Sequence, residues 1–118
     1  MPSRSKIKGN QFETRVANLA KAEGIPAVRA WGSNGASLGL HEEVDVLIDK
    51  IWKVQCKCRA KIAEWIKPNE NVDIQVVKED YGEIFVIIPY KRFLKLIVKN
   101  RIDSIEENSL NVYHDDLY

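Results

Sequence analysis

The sequence predicts an α/β fold: one domain in which helices cover a central mixed sheet of five strands. Three observations carry that expectation. The chain has 118 residues, enough for one core and too few for two. Apolar residues recur with a helical period near both ends and with a period of two in several segments between them. The composition, 45% hydrophobic and 30% charged, suits a globular chain and excludes a disordered one or a membrane bundle. No run of about 18 apolar residues is present to cross a bilayer, and MPSRSKIKGNQ lacks the apolar stretch of a secretory signal. Cys56 and Cys58 are the only cysteines. One residue apart, they make a poor disulfide loop, so a reduced, cytoplasmic protein without a membrane partner is expected.

The elements follow in order. Residues 1–8, with Arg4, Lys6 and Lys8, read as a basic flexible arm. A helix is predicted over 11–23, where Phe12, Val16, Leu19 and Ala20 form one apolar stripe. Asn10 is its N-cap with Glu13 three residues on, and Gly24 is its stop. Residues 26–31 read as a first strand and the glycine-rich GSNGASLGLH, 32–41, as a loop. In 43–49, Val44, Val46 and Ile48 alternate with Glu43, Asp45 and Leu47, and Asp49-Lys50 turns the chain into a second hairpin strand, 51–59. A short helical segment over 60–66 presents Ile62, Trp65 and Ile66 and ends at Lys67-Pro68-Asn69. Strands over 73–78 and 83–89 flank the turn Glu79-Asp80-Tyr81-Gly82. The apolar run 84–88 suggests a central strand covered on both faces. The last helix, 90–101, buries Phe93, Leu94, Ile97 and Val98 and turns Lys91, Lys95 and Lys99 outward, and 102–118 is an acidic C-terminal tail.

Charge is unevenly spread. Residues 1–101 carry all 18 Lys and Arg against 12 acids, whereas 102–118 hold five acids and no base. A basic body suits a polyanionic partner. Lys6, Lys8, Lys61 and Arg92 extend the lysine face of the last helix as a surface to track phosphates, with Arg59 as a further phosphate contact.

The informative constellation is Asp45 followed ten residues later by Gln55-Cys56-Lys57. Strand alternation puts Gln55, Lys57 and Arg59 on one face and both cysteines on the other. A hairpin turning at Asp49-Lys50 sets Asp45 across from residues 54–55. A carboxylate, an amide oxygen and an ammonium then share one end of the sheet. Phosphodiester hydrolysis asks for that set: oxygen ligands for Mg²⁺, a metal that acidifies water, and a cation for developing charge.

Asp45…Gln55-x-Lys57 resembles the signature of the PD-(D/E)XK nuclease superfamily. The likeness extends through Lys8-Gly9…Glu13, Arg29-Ala30-Trp31-Gly32-Ser33 and Glu43-Val44-Asp45-Val46. That order is similar to the archaeal-type and phage Holliday junction resolvases, over roughly residues 6–100. The resemblance implies a restriction-endonuclease-like core and an endonuclease that uses Mg²⁺, with Mn²⁺ as substitute. It also implies a homodimer acting on four-way DNA junctions in recombination and repair, encoded by a phage and working in the host cytoplasm. Asp45 is then the central metal ligand, Glu13 the helical acid of the metal site, Gln55 the replacement for a second acid, and the Cys56 carbonyl a further ligand. Lys57 is the catalytic lysine, and Ser33, or else Ser37, stands near the scissile phosphate. Lys6, Lys8, Arg29, Arg59 and Lys61 are the expected DNA contacts, with Trp31 as a candidate beside the loop.

Competing readings share these residues. Glu13 also completes an N-x-x-E capping arrangement. Glutamine at position 55 removes a negative charge and weakens a metal site, as in a non-catalytic DNA-binding descendant. A restriction-like or flap and fork nuclease has the same chemistry on another substrate. Cys-x-Cys does not meet the spacing of a structural zinc site, so the cysteines read as strand residues. Trp65, Ile66, Phe93 and Leu96 are candidates for the dimer surface.

Overall fold

The computed structural model describes residues 3–30 and 35–114, with side chains through 107. It is a mixed α/β chain whose strands form two small antiparallel sheets. Residues 1–64 and 65–118 make two compact units.

In the first unit, helix α1 spans Arg4–Ala22. It begins two turns before the predicted start, because Ser3 caps it by accepting the Lys6 backbone N–H at 3.2 Å. The predicted boundary fell late because Gly9 reads as a helix breaker, yet one glycine costs a helix only about 1 kcal/mol. Arg4, Lys6 and Lys8 therefore lie on a helix, where an arm was expected, and Asn10 and Glu13 lie inside it rather than at its cap. The far end matches the expectation. Gly24 adopts φ 77°, and Ile25 and Gly24 donate back to the carbonyls of Ala20 and Lys21, a Schellman stop.

Three strands follow: β1 Ala27–Arg29, β2 Val46–Ile48 and β3 Trp52–Val54, in the order β1-β2-β3. β2 is central, pairing Val46 with Arg29 on one side and with Val54 on the other. The tight turn forms as predicted, with Asp49 and Lys50 at φ 55° and 65° and the Ile51 N–H donating to the Ile48 carbonyl; Ile48 pairs with Trp52, so three residues, 49–51, link the strands. β3 ends at Val54, and 55–59 continue without ladder pairing. Between β1 and β2, part of the expected loop is a 3-10 turn, Gly35–Leu38. Gly35 is buried there, and a Cβ on it would collide with the His41 carbonyl and the Val44 side chain. The core of this unit joins Val16, Ala17 and Ala20 of α1 to Ile25, Ala27, Ala30, Val44, Val46 and Ile48.

In the second unit, β4 Gln75–Lys78 and β5 Ile84–Ile87 form a hairpin, and α2 spans Tyr90–His114. α2 buries Leu94 and Ile97, with Phe93 and Val98 half-buried and Lys91, Lys95 and Lys99 exposed, as the periodicity predicts. It runs on through 102–114, so Asp103, Glu106 and Glu107 lie on a helix where a tail was expected. Asp115 and Asp116 lie outside the described residues. Residues 64–66 form a turn instead of the expected short helix. The run 84–87 is not covered on both faces, since Ile84, Phe85 and Val86 are all exposed. Arg92 reaches Asp73 at 2.8 Å, and the Gln75 side chain donates to the Trp65 carbonyl.

Candidate functional site

The described residues contain two buried charged side chains, Glu13 and Asp45, 5% and 8% exposed. Both sit on apolar frameworks. Glu13 falls on the inward stripe of α1 that continues with Val16, Ala17 and Ala20. Asp45 lies between buried Val44 and Val46 at the entry to β2. Burying a carboxylate is costly unless its partners are built in, and for both residues they are.

Asp45 is fixed at three points. Its backbone N–H donates to the Val54 carbonyl and its own carbonyl accepts from the Ala30 N–H, both at 2.8 Å. Its Oδ2 accepts the Cys56 backbone N–H at 2.7 Å. The central position of β2 supplies the first two bonds, and the hairpin register supplies the third. Glu13 Oε2 accepts from Arg29 Nε at 3.2 Å in a part-buried ion pair. β1 makes this possible, because a period of two puts Arg29 on the same face as buried Ala27.

Cys56 links the two acids. Its thiol is pushed up to about 11 by burial first, then by the charges of Asp45 and of Glu13. Both carboxylates thus disfavour the Cys56 thiolate. The alternation predicted for 55–59 is present, with Gln55, Lys57 and Arg59 exposed and the two free cysteines half-buried. The bond to Asp45 from this segment comes from the Cys56 backbone N–H. No hydrogen bond or ion pair joins Gln55 or Lys57 to either acid among the described residues.

Lys57 instead lines an open cleft of about 460 Å³ with Ser5, Lys8 and Gly9 of α1 and with Cys56, Cys58, Arg59 and Ala60. The expected DNA contacts therefore separate. Lys8 and Arg59 share this cleft, Lys6 and Lys61 are exposed elsewhere, and Arg29 is engaged with Glu13. Ser33 and Trp31 lie outside the described residues; Ser37 is exposed in the 3-10 turn.

Sequence reasoning missed the Arg29–Glu13 pair and the place of Ser5. A signal existed for each. An acid on a buried helical stripe requires a cation, and Arg29 is the inward-facing base of the neighbouring strand. Ser5, Lys8 and Gly9 stand at i, i+3 and i+4, one helix face once the helix is extended to them.

No three His, Cys, Asp or Glu side chains among the described residues are grouped to hold a metal. Glu13 and Asp45 are each buried carboxylates, the ligand type of which Mg²⁺ commonly takes one or two together with waters and substrate phosphate. No family model, curated protein or solved structure matches the chain.

Proposed function

We propose that the chain is a metal-dependent, structure-specific DNA endonuclease of the PD-(D/E)XK type that resolves four-way junctions as a homodimer. The observation that carries this reading is that Cys56, whose N–H holds the buried Asp45, also lines an open cleft with Lys8, Lys57 and Arg59. Acids that hold a cation, next to bases that hold a polyanion, are the two halves of phosphodiester hydrolysis.

Asp45 and Glu13 supply carboxylate oxygens for Mg²⁺, with Mn²⁺ as substitute, and the Cys56 carbonyl and the Gln55 amide complete the set. When bound, the ion acidifies water and draws charge from the phosphoryl oxygen. The Cys56 N–H holds one oxygen of Asp45, and Arg29 holds one oxygen of Glu13, so neither acid has to reorganise. Lys57 donates toward the attacking water or the developing charge, and Ser33 steadies the phosphate. Lys6, Lys8, Arg59 and Lys61 carry the strand by its phosphates. Arg29 acts on DNA only through Glu13.

The fold that goes with this reading is the restriction-endonuclease-like core, with all five strands in one sheet. An isolated two-stranded hairpin is marginally stable, which favours further pairing for β4 and β5. Trp65 and Leu96 are exposed apolar residues suited to the contact between copies.

The reading is tested by Mg²⁺-dependent nicking of a labelled junction. Asp45→Asn and Lys57→Ala are expected to abolish cleavage and leave junction binding nearly intact. Loss of folding in both variants would assign these residues to structure instead. One observation favours a second reading, a DNA-binding descendant without catalysis. Gln55 is exposed and neutral where an acid is usual, and that reading predicts salt-sensitive junction binding without nicking under Mg²⁺ or Mn²⁺.

A further inference from the structure

We infer that α2 carries a self-recognition surface: its C-terminal half receives the N-terminal half of α2 from a second copy of this chain, the two helices lying antiparallel. The inference deepens the homodimer part of the proposed function and rests on that reading only for the presence of a second copy; the surface is argued from α2 alone.

Charge on α2 falls into two blocks. Residues 90–101 carry Lys91, Arg92, Lys95, Lys99 and Arg101 and no acid, whereas 102–114 carry Asp103, Glu106 and Glu107 and no Lys or Arg. This order opposes the helix dipole, which favours acids near the N-terminus and bases near the C-terminus. It also sets like charges four residues apart at exposed positions, Lys91 with Lys95, Lys95 with Lys99 and Asp103 with Glu107, where they repel. Arg92 is answered by Asp73. No ion pair engages Lys91, Lys95, Lys99, Asp103, Glu106 or Glu107 among the described residues. The blocks thus work against α2 as a helix on its own.

An apolar stripe crosses the boundary between the blocks. Val98, Ile102 and Ile105 recur at i, i+4 and i+7, which is one helix face. Val98 is half-buried, while Ile102 and Ile105 are 51% and 66% exposed. At about 100° per residue, Lys95, Lys99 and Glu106 fall together along one flank of that stripe.

One occupant answers both blocks. A polyanion suits the lysines and is repelled by the acids, and a basic protein surface does the reverse. A second α2 laid parallel sets like charge on like. Laid antiparallel, it sets each block against its opposite, opposes the two helix dipoles and closes as a two-fold pair in which the same patch serves both copies. With the two-fold axis at Ile102, that residue faces itself and Ile105 faces Val98 of the second copy, an apolar seam. Antiparallel helices bring the same flank of each together, which sets Lys99 beside Glu106 of the second copy, twice by symmetry. Lys95 and Lys99 are thereby assigned to a protein contact and not to the phosphate tracking expected from sequence.

Sedimentation equilibrium of the full chain without DNA, at low and high salt, tests the seam. Self-association should weaken as salt screens the flanking charges. Lys99→Glu and Glu106→Lys should each weaken it about tenfold or more, because each sets like charges together twice. The double variant restores opposite charges and should return to within about threefold of the unmodified chain, a rescue that a folding defect does not give. An equimolar mixture of the two single variants should also pair, because each carries the charges the other needs. Asn100→Lys, on the opposite side of α2, should change little.

Undiminished association of both single variants overturns the seam and leaves the homodimer reading intact on another surface. Loss of association in the single variants, with no recovery in the double variant or in the mixture, also overturns the seam. A single-chain mass for the unmodified protein at every concentration overturns seam and homodimer together. Rescue by the double variant in a chain that never nicks a junction upholds the seam and overturns the nuclease reading.

Discussion

Glu13 and Arg29 show how one buried charge makes a claim that experiment can reach. Glu13 is buried on an apolar helical stripe and Arg29 is its part-buried partner at 3.2 Å. Removing the base leaves a carboxylate desolvated without its partner, so Arg29→Ala should lower the unfolding free energy by about 1–3 kcal/mol, measured by urea denaturation. Adding Glu13→Gln should recover part of that loss, because the stranded charge is gone. Equal losses in the single and double variants would show that the pair does not couple. Cys56 makes a second claim. Burial and the two acids disfavour its thiolate, so in a Cys58→Ser background its alkylation rate should climb through pH 9 and level off only near 11. Asp45→Asn should move that profile to lower pH. The sign for stability follows from the raised value. The folded state holds the proton more tightly than the unfolded chain, so this contribution is complete below about pH 9 and is lost as pH rises toward 11. At this scale Asp45 was legible from sequence, since a carboxylate between valines on a strand needs a reason to be there. The Cys56 N–H bond to Asp45 was not, because alternation fixes which residues share a face and leaves open which backbone groups meet a side chain.

Elements were predicted well where local chemistry decides them. Gly24 and the Asp49-Lys50 turn adopt the left-handed backbone their positions require, and the β2–β3 hairpin closes around that turn with Ile48 opposite Trp52. The start of α1 was missed because the cap at Ser3 outweighs the cost of Gly9. That correction yields a prediction. Gly9 has helical surroundings and open space at its Cβ, so Gly9→Ala should stabilise the chain by about 0.5–1 kcal/mol, read as a higher thermal midpoint. Gly35 is the opposite case. A methyl group there drives into the His41 carbonyl and the Val44 side chain, just ahead of Asp45. Gly35→Ala should cost about 1–3 kcal/mol and should loosen Asp45 as well, seen as a downward shift of the Cys56 alkylation profile. The run 84–87 marks the limit of such reasoning, since a continuous apolar stretch gives the strand but does not tell what covers it.

For the whole molecule, the two apolar periods predicted the mixed α/β chain that is observed, and no described helix is long and apolar enough to cross a membrane. The β2–β3 hairpin was legible because its turn is local, whereas pairing between distant segments depends on packing that local periodicity does not encode. The proposed homodimer belongs to this scale. Sedimentation equilibrium should give a mass of two chains. Trp65→Glu with Leu96→Glu, both at exposed apolar positions, should reduce it to one and impair paired cutting more than single nicking. A single-chain mass for the unmodified protein at all concentrations would remove the dimer. The central claim, that the buried acids and the basic cleft together hydrolyse branched DNA, is tested most directly on a labelled four-way junction beside a linear duplex of matching sequence, with Mg²⁺ and with Lys57→Ala as control. The account predicts paired symmetric nicks in the junction, none in the duplex and none with the variant. Tight junction binding without cutting, under Mg²⁺ and Mn²⁺ alike, would contradict it.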